Sequence, residues 1–351
     1  MIKQKLKTII SIIFPIYLIE IASKLNPIFL YKKADNYWKM FKISKIPYQE
    51  KKIIFDKVDD RKKVGIIIQG PIIKEDDFTY NTIKLLLENY KNIKIILSTW
   101  KNEEKKVVEK IKNLGIDILL NDPPINGLEN LNLQIVSTYN GIKHFEKEKI
   151  NYILKIRTDQ RIYQNNTIEF FLNLLDIYPV FNSSKQTKRI IGIDINTCKY
   201  IPFSFSDMLQ FGSTEDMEKM WNVELTTKKF TKTDRENLNP SIKEMQKYKN
   251  CEMVLCESFL KKTDFKYEYS LFSYYKALHE RFLVVDSEMI GLYWFKYNSL
   301  NNSSIEIEQR KIKFLDWNEL YTNFNNIDIL KLIEVEKEIL KKKLFKSKKW
   351  K

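Results

Sequence analysis

Between Val64 and Asn196 short apolar runs alternate with amphipathic stretches, and this alternation restricts the fold more than any other feature of the chain. VGIIIQG (64–70), KIILSTW (94–100), DILLND (117–122), YILKIRTD (152–159) and RIIGIDIN (189–196) read as strands. Helical patterns lie between them at about 79–90, 102–114, 129–147 and 167–177. Strands that alternate with helices predict an α/β fold: a mostly parallel sheet flanked by helices. Ligands of such sheets bind beyond the C-terminal ends of the strands. Those ends are polar here: Gln69-Gly70-Pro71, Ser98-Thr99-Trp100, Asn121-Asp122 and Arg157-Thr158-Asp159.

Two stretches in this region carry more than fold information. In 129–147, Leu131, Ile135, Thr138, Ile142 and Phe145 repeat at helical spacing and form a core stripe. Asn130, Gln134, Ser137 and Gly141 repeat one residue earlier and form a second, polar and small face, rotated by about 100°. In ILKIRTDQR (153–161), Lys155, Arg157 and Asp159 fall on one face of a strand. Either Arg157 and Asp159 form an internal ion pair, or the three charges serve a ligand. A strand-tip carboxylate can hold a divalent cation against a diphosphate, and Lys or Arg can meet phosphate directly.

After residue 197 the alternation stops. The stretch 201–221 reads as loop, short strand and helix, and 225–241 as a polar surface loop. The stretch 241–261 reads as a helix, 281–286 as a strand and 326–345 as a final charged helix. No G-x-G-x-x-G, no G-x-x-x-x-G-K-[ST] and no G-x-S-x-G occurs. These absences count against a dinucleotide-binding oxidoreductase, a P-loop NTPase and a nucleophile-elbow hydrolase.

The net charge is +15, from 60 Lys and Arg against 45 Asp and Glu. Such a balance attracts anionic membranes, nucleic acid or phosphorylated small molecules, although the abundance of Lys, Ile and Asn throughout also fits background composition. Cys198, Cys251 and Cys256 form no C-x-x-C pair, which argues against a zinc site or a disulfide framework and for a reducing cytoplasm. Three lysines precede an apolar run from Ile9 to Ile19, broken by Pro15. The run is shorter than the roughly 20 residues that span a bilayer. It reads as an interfacial anchor or as a helix docked on the protein's own core. The Lys-rich C-terminus offers a second contact with anionic lipid or a solvated tail.

Five blocks in order, GIIIQGPI (65–72), ILSTWKNE (96–103), ENLNLQIVSTYNGI (129–142), YILKIRTDQRIY (152–163) and PFSFSDMLQFG (202–212), resemble the WavE family of lipopolysaccharide-synthesis proteins. The resemblance covers roughly 60–290. It implies a GT-A-like, Rossmann-like glycosyltransferase with additional C-terminal helices. Segment 1–60 would then be an N-terminal apolar and basic part, 61–196 a nucleotide half, 197–290 an acceptor half and 291–351 a basic helical extension.

The same resemblance implies roles for individual residues. Gln69, Gly70, Pro71, Ser98 and Trp100 would face the donor nucleotide, with Trp100 stacking on a base or simply packing. Asn130 and Gln134 would contact base or ribose, and Lys155 and Arg157 the diphosphate. Asp159 stands where GT-A enzymes carry an Asp-x-Asp motif for Mn²⁺ or Mg²⁺. The neighbouring positions are Thr158 and Gln160, so one carboxylate is missing and metal dependence is open. Asp207 is the first choice for the base that takes an acceptor hydroxyl's proton. Glu257 is the second, with Glu252 nearby, and His279 is an isolated histidine. The expected partners are a nucleotide sugar, a lipid-linked or surface-glycan acceptor and the cytoplasmic face of the inner membrane, with no nucleic acid. The alternatives are a sugar-phosphate nucleotidyltransferase, or a non-catalytic basic protein that binds membrane or nucleic acid.

Overall fold

The structure, a computed structural model, describes residues 63–181, 185–297 and 311–344. The expected N-terminal anchor and the tail beyond 344 lie outside the described residues. Among the described residues no helix is long and apolar enough to cross a membrane.

The first half follows the alternation closely. β1 (Val64–Gln69), α1 (Phe78–Asn89), β2 (Lys94–Trp100), α2 (Lys105–Lys112), β3 (Asp117–Asn121), α3 (Leu131–Lys147) and β4 (Tyr152–Arg157) succeed one another. A short β5 (Gln160–Ile162) precedes α4 (Thr167–Ile177), β6 (Ile190–Ile193) and β7 (Gln210–Ser213). Then come α5 (Thr214–Trp221), α6 (Lys232–Leu238), α7 (Cys251–Lys262), α8 (Leu271–Arg281) and β8 (Phe282–Val285). The last elements are β9 (Leu292–Trp294), α9 (Phe314–Asn323) and α10 (Ile329–Leu340).

Seven strands form one sheet in the order β3-β2-β1-β4-β7-β6-β8. Only β7 runs against the rest, antiparallel to both β4 and β6. The mostly parallel, helix-flanked α/β sheet expected from the sequence is therefore present. Ile66, Ile67 and Ile68 of β1 are fully buried, and each contributes about 1.5–3 kcal/mol relative to exposure. The polar stripe of α3 runs from exposed Asn130 through half-buried Gln134 to buried Ser137 and Gly141. Its core stripe is buried, and a Cβ at Gly141 would come within 2.9 Å of Ile67, so the helix lies tightly on β1.

Several elements depart from the sequence reading. The stretch expected as a loop over 225–241 contains α6, started by a capping box between Thr231 and Asp234. The helix expected from 241 starts only at Cys251, because Asn250 caps it by accepting from the Met253 N–H at 2.9 Å. β5 and β9 pair antiparallel in a small second sheet. β9 and α9 belong to the expected extension, yet both pack on the sheet domain. Trp317 of α9 is fully buried and donates Nε1–H to the Leu278 and Phe282 carbonyls.

Candidate active site

The polar strand tips are knitted to α3. Ser137 Oγ donates to Gln69 Oε1 at 2.7 Å, and Ser98 Oγ donates to the Ser137 carbonyl at 2.6 Å. Asn121 Nδ2 donates to Ser98 Oγ at 2.9 Å, and Asn140 Nδ2 to Asn121 Oδ1 at 2.7 Å. The Gly70 N–H reaches the Ser98 carbonyl, and the Thr158 N–H the Gln69 carbonyl. Gly70 has φ +120°, and a Cβ there would lie 3.0 Å from Thr158 Oγ1, so the turn out of β1 requires glycine. Pro71 is exposed beside it. Gln69 and Ser98 are thus buried braces beneath the strand tips. Trp100 is buried as well, at 6% exposure.

The charged face of β4 divides in two. Lys155 does not point out beyond the strand tips, as a phosphate contact would require. It is fully buried where β4 pairs with β7. Nζ donates to the Asp207 carbonyl at 2.5 Å and sits 4.7 Å from the Trp221 ring centre. Burial pushes Lys155 down to about 7, against the opposing pull of Asp207. Its contacts hold the turn that carries Asp207.

Arg157 and Asp159 form a bidentate pair, with Nε to Oδ1 at 2.8 Å and Nη2 to Oδ2 at 2.9 Å. Trp294 of β9 also donates Nε1–H to Oδ2 at 3.0 Å. Burial alone would raise the Asp159 carboxyl. The Arg157 guanidinium and the Trp294 indole overcome that and hold it below its ordinary value.

This donor set does not fit a divalent cation. Both Asp159 oxygens are taken, and among the described residues no group of three His, Cys, Asp or Glu side chains converges there. The group that does converge is Asp117, His144 and Glu148, at the start of β3 and the end of α3, on the opposite edge of the sheet.

Asp207 lies in the loop before β7, at the C-terminal edge of the parallel strands. It is 1% exposed, and Oδ2 accepts from Gln134 Nε2 at 3.0 Å. Oδ1 of Asp207 and Oε1 of Gln134 are buried with no hydrogen-bond partner among the described residues. Glu252, in the first turn of α7, joins this centre. It accepts from Asn196 Nδ2 at 2.8 Å, and burial together with the Asp207 charge pushes it up to about 8. Glu129 pairs with Arg235, whose Nη2 donates to the Lys249 carbonyl at 2.7 Å, linking α3, α6 and the start of α7.

The structure therefore brings Gln134, Lys155, Asp207 and Glu252 together, with Arg157 and Asp159 at the neighbouring strand tip. Asn130 is exposed, and its Oδ1 accepts from Asn126 at 2.9 Å. Glu257 lies elsewhere on α7, where its Oε2 accepts from Lys249 Nζ at 2.6 Å and from Tyr267 at 3.0 Å. His279 stacks on Phe181 and Phe324, away from any carboxylate site. The sequence reading missed Glu129, Asn196, Arg235 and Trp294. Asn250 followed by Glu252 is a helix-start pattern that marks the first turn of α7; Trp294 carries no local signal.

The profile of the WavE lipopolysaccharide synthesis family matches residues 64–349. The chain belongs to that family. The WavE match takes in every strand and helix named above, including those beyond 290. No curated protein matches the chain significantly. Solved structures similar to this WavE chain include a cytidylyltransferase from Leptospira borgpetersenii, 12% identical over 81% of this chain and 99% of that one, with a TM-score of 0.33. Another is a glycosyltransferase involved in glycosylating the major capsid of PBCV-1, 10% identical over 64% and 83%, with a TM-score of 0.33. A third is glucosyl-3-phosphoglycerate synthase from Mycobacterium tuberculosis, solved with Mn²⁺, UDP and phosphoglyceric acid. It is 6% identical over 44% and 57%, with a TM-score of 0.29. At these TM-scores no activity carries over to this chain.

Proposed function

We propose that this WavE-family chain is a glycosyltransferase that moves a sugar from a nucleotide-sugar donor to a lipopolysaccharide, lipooligosaccharide or other surface-glycan acceptor. The observation that carries the reading is Asp207: a buried carboxylate at the ligand edge of a parallel sheet, with Oδ2 fixed by Gln134 and Oδ1 without a partner. Oδ1 takes the proton of the acceptor hydroxyl as its oxygen attacks the donor's anomeric carbon and the nucleoside diphosphate leaves. Lys155 fixes the Asp207 backbone from below, so the base is preorganised. Glu252 keeps its proton near neutrality, which spares Asp207 a like charge beside it. Arg157, held by Asp159, is the cation offered to the departing diphosphate. No step runs through a metal, because the strand-tip donor set does not fit one.

The net charge of +15 favours work against anionic lipid at the cytoplasmic membrane face. Incubation with a panel of nucleotide sugars, with and without Mn²⁺, tests the proposal by nucleoside diphosphate release. One donor is expected to be bound and hydrolysed; binding and hydrolysis of none would remove the reading.

A further inference from the structure

A cavity of about 490 Å³ opens beside α7, apart from the Asp207 centre. Lys249, Glu257, Lys261, Lys266, Tyr267 and Tyr269 are on its wall. We infer that it binds an anionic saccharide, a part of the acceptor other than the reacting sugar; this rests on the transferase reading.

Size, the polar and aromatic lining, and charge define the ligand. The volume is within the range of sites for small organic molecules, about 300–1,000 Å³, and is far larger than a lone phosphate needs. Tyr267 and Tyr269 supply amphipathic rings, an apolar body with a polar tip, which suits a sugar's C–H faces and hydroxyls. Glu257 is 7% exposed and accepts from both Lys249 and Tyr267, so the wall carries a fixed hydrogen-bonding centre. Burial, then Glu257, pushes the Tyr267 hydroxyl far up, so it stays a donor.

Charge supplies the third feature. Lys249 is matched by Glu257. Lys261 and Lys266 are exposed at the cavity and form no ion pair among the described residues. With Glu268 also on the wall, three lysines face two glutamates, so a neutral sugar would leave an excess positive charge that a phosphate or carboxylate on the sugar would meet. The helix that carries Glu257 at the cavity also carries Glu252 beside Asp207, about 7.5 Å along its axis and about 140° round it.

The test uses the full chain and the oligosaccharide released by deacylating lipopolysaccharide, with binding followed by calorimetry. Three forms are compared: intact, dephosphorylated, and dephosphorylated with its carboxylates reduced. The intact form is expected to bind, and the fully discharged form to bind at least tenfold more weakly. The step at which affinity falls names phosphate or carboxylate. Lys261→Ala with Lys266→Ala should weaken binding of the intact form at least tenfold and leave donor hydrolysis unchanged. Binding that stays within twofold in that variant, or in the discharged form, overturns the inference. Donor hydrolysis together with lysine-independent binding removes the cavity assignment alone. Lysine-dependent binding without hydrolysis of any donor removes the transferase reading and leaves the cavity standing.

Discussion

Arg157 and Asp159 face each other across one turn of chain and share two parallel hydrogen bonds, at 2.8 and 2.9 Å. The carboxylate is nearly buried and the guanidinium mostly so. Removing one partner strands the other. Arg157→Ala is expected to lower stability by about 3–5 kcal/mol, read from urea unfolding. The double change Arg157→Met with Asp159→Leu should recover most of that loss and still fail to bind a nucleoside diphosphate. Normal nucleotide binding in the double variant would separate this pair from the donor site.

The same pair sets an acid limit. The folded Asp159 carboxyl is held below its ordinary value, so the unfolded state binds more protons as pH falls. Its contribution is fully present above the unfolded carboxylate range, about pH 4, and is lost as pH drops through the folded value. Thermal unfolding from pH 6 to pH 2 should show a shallower decline in the Arg157→Met, Asp159→Leu variant than in the native chain.

Glu252 has the opposite sign. Its folded value is raised to about 8, so the folded state binds more protons than the unfolded state between about pH 4.5 and 8. Stability from this group is present below that window and falls as pH rises through it. Glu252→Gln should flatten the fall in Tm between pH 5 and 8. An unchanged slope would mean that Glu252 is ionised throughout.

Lys155 supports Asp207 through the backbone. Lys155→Met leaves the Asp207 and Met208 carbonyls without their buried donor. The expected cost is about 1–3 kcal/mol. Turnover should fall while affinity for the nucleotide is kept, since Lys155 is fully buried. A rise in donor KM with kcat intact would contradict this placement.

Both Asp159 oxygens are already engaged, so chelation should matter little. Turnover in EDTA is expected to stay within about twofold of that with Mn²⁺. A loss of a hundredfold or more, restored by Mn²⁺, would show that the Arg157 pair opens to admit a cation.

The parallel half of the fold was legible because its strands are continuous apolar runs and its helices are periodic. The Asp207 and Gln134 assignments came from the family blocks, and the structure sets these two side chains in contact. Lys155 misled because alternation along a strand gives the face and not what covers it. Here β7 and Trp221 cover it, paired from more than fifty residues away. Glu257 misled for the related reason that a helix carries acidic groups on more than one side. Trp294 and Arg235 were invisible because β9 and α6 reach the site only through long-range packing.

Asp207 as the base is the central claim, and one variant tests it most directly. Nucleoside diphosphate release from the accepted nucleotide sugar, with acceptor present, should be compared between the native chain and Asp207→Asn. The account predicts a loss of about 10²- to 10⁴-fold in kcat, with nucleotide affinity and Tm close to native. Turnover by Asp207→Asn within a few-fold of the native rate would contradict it.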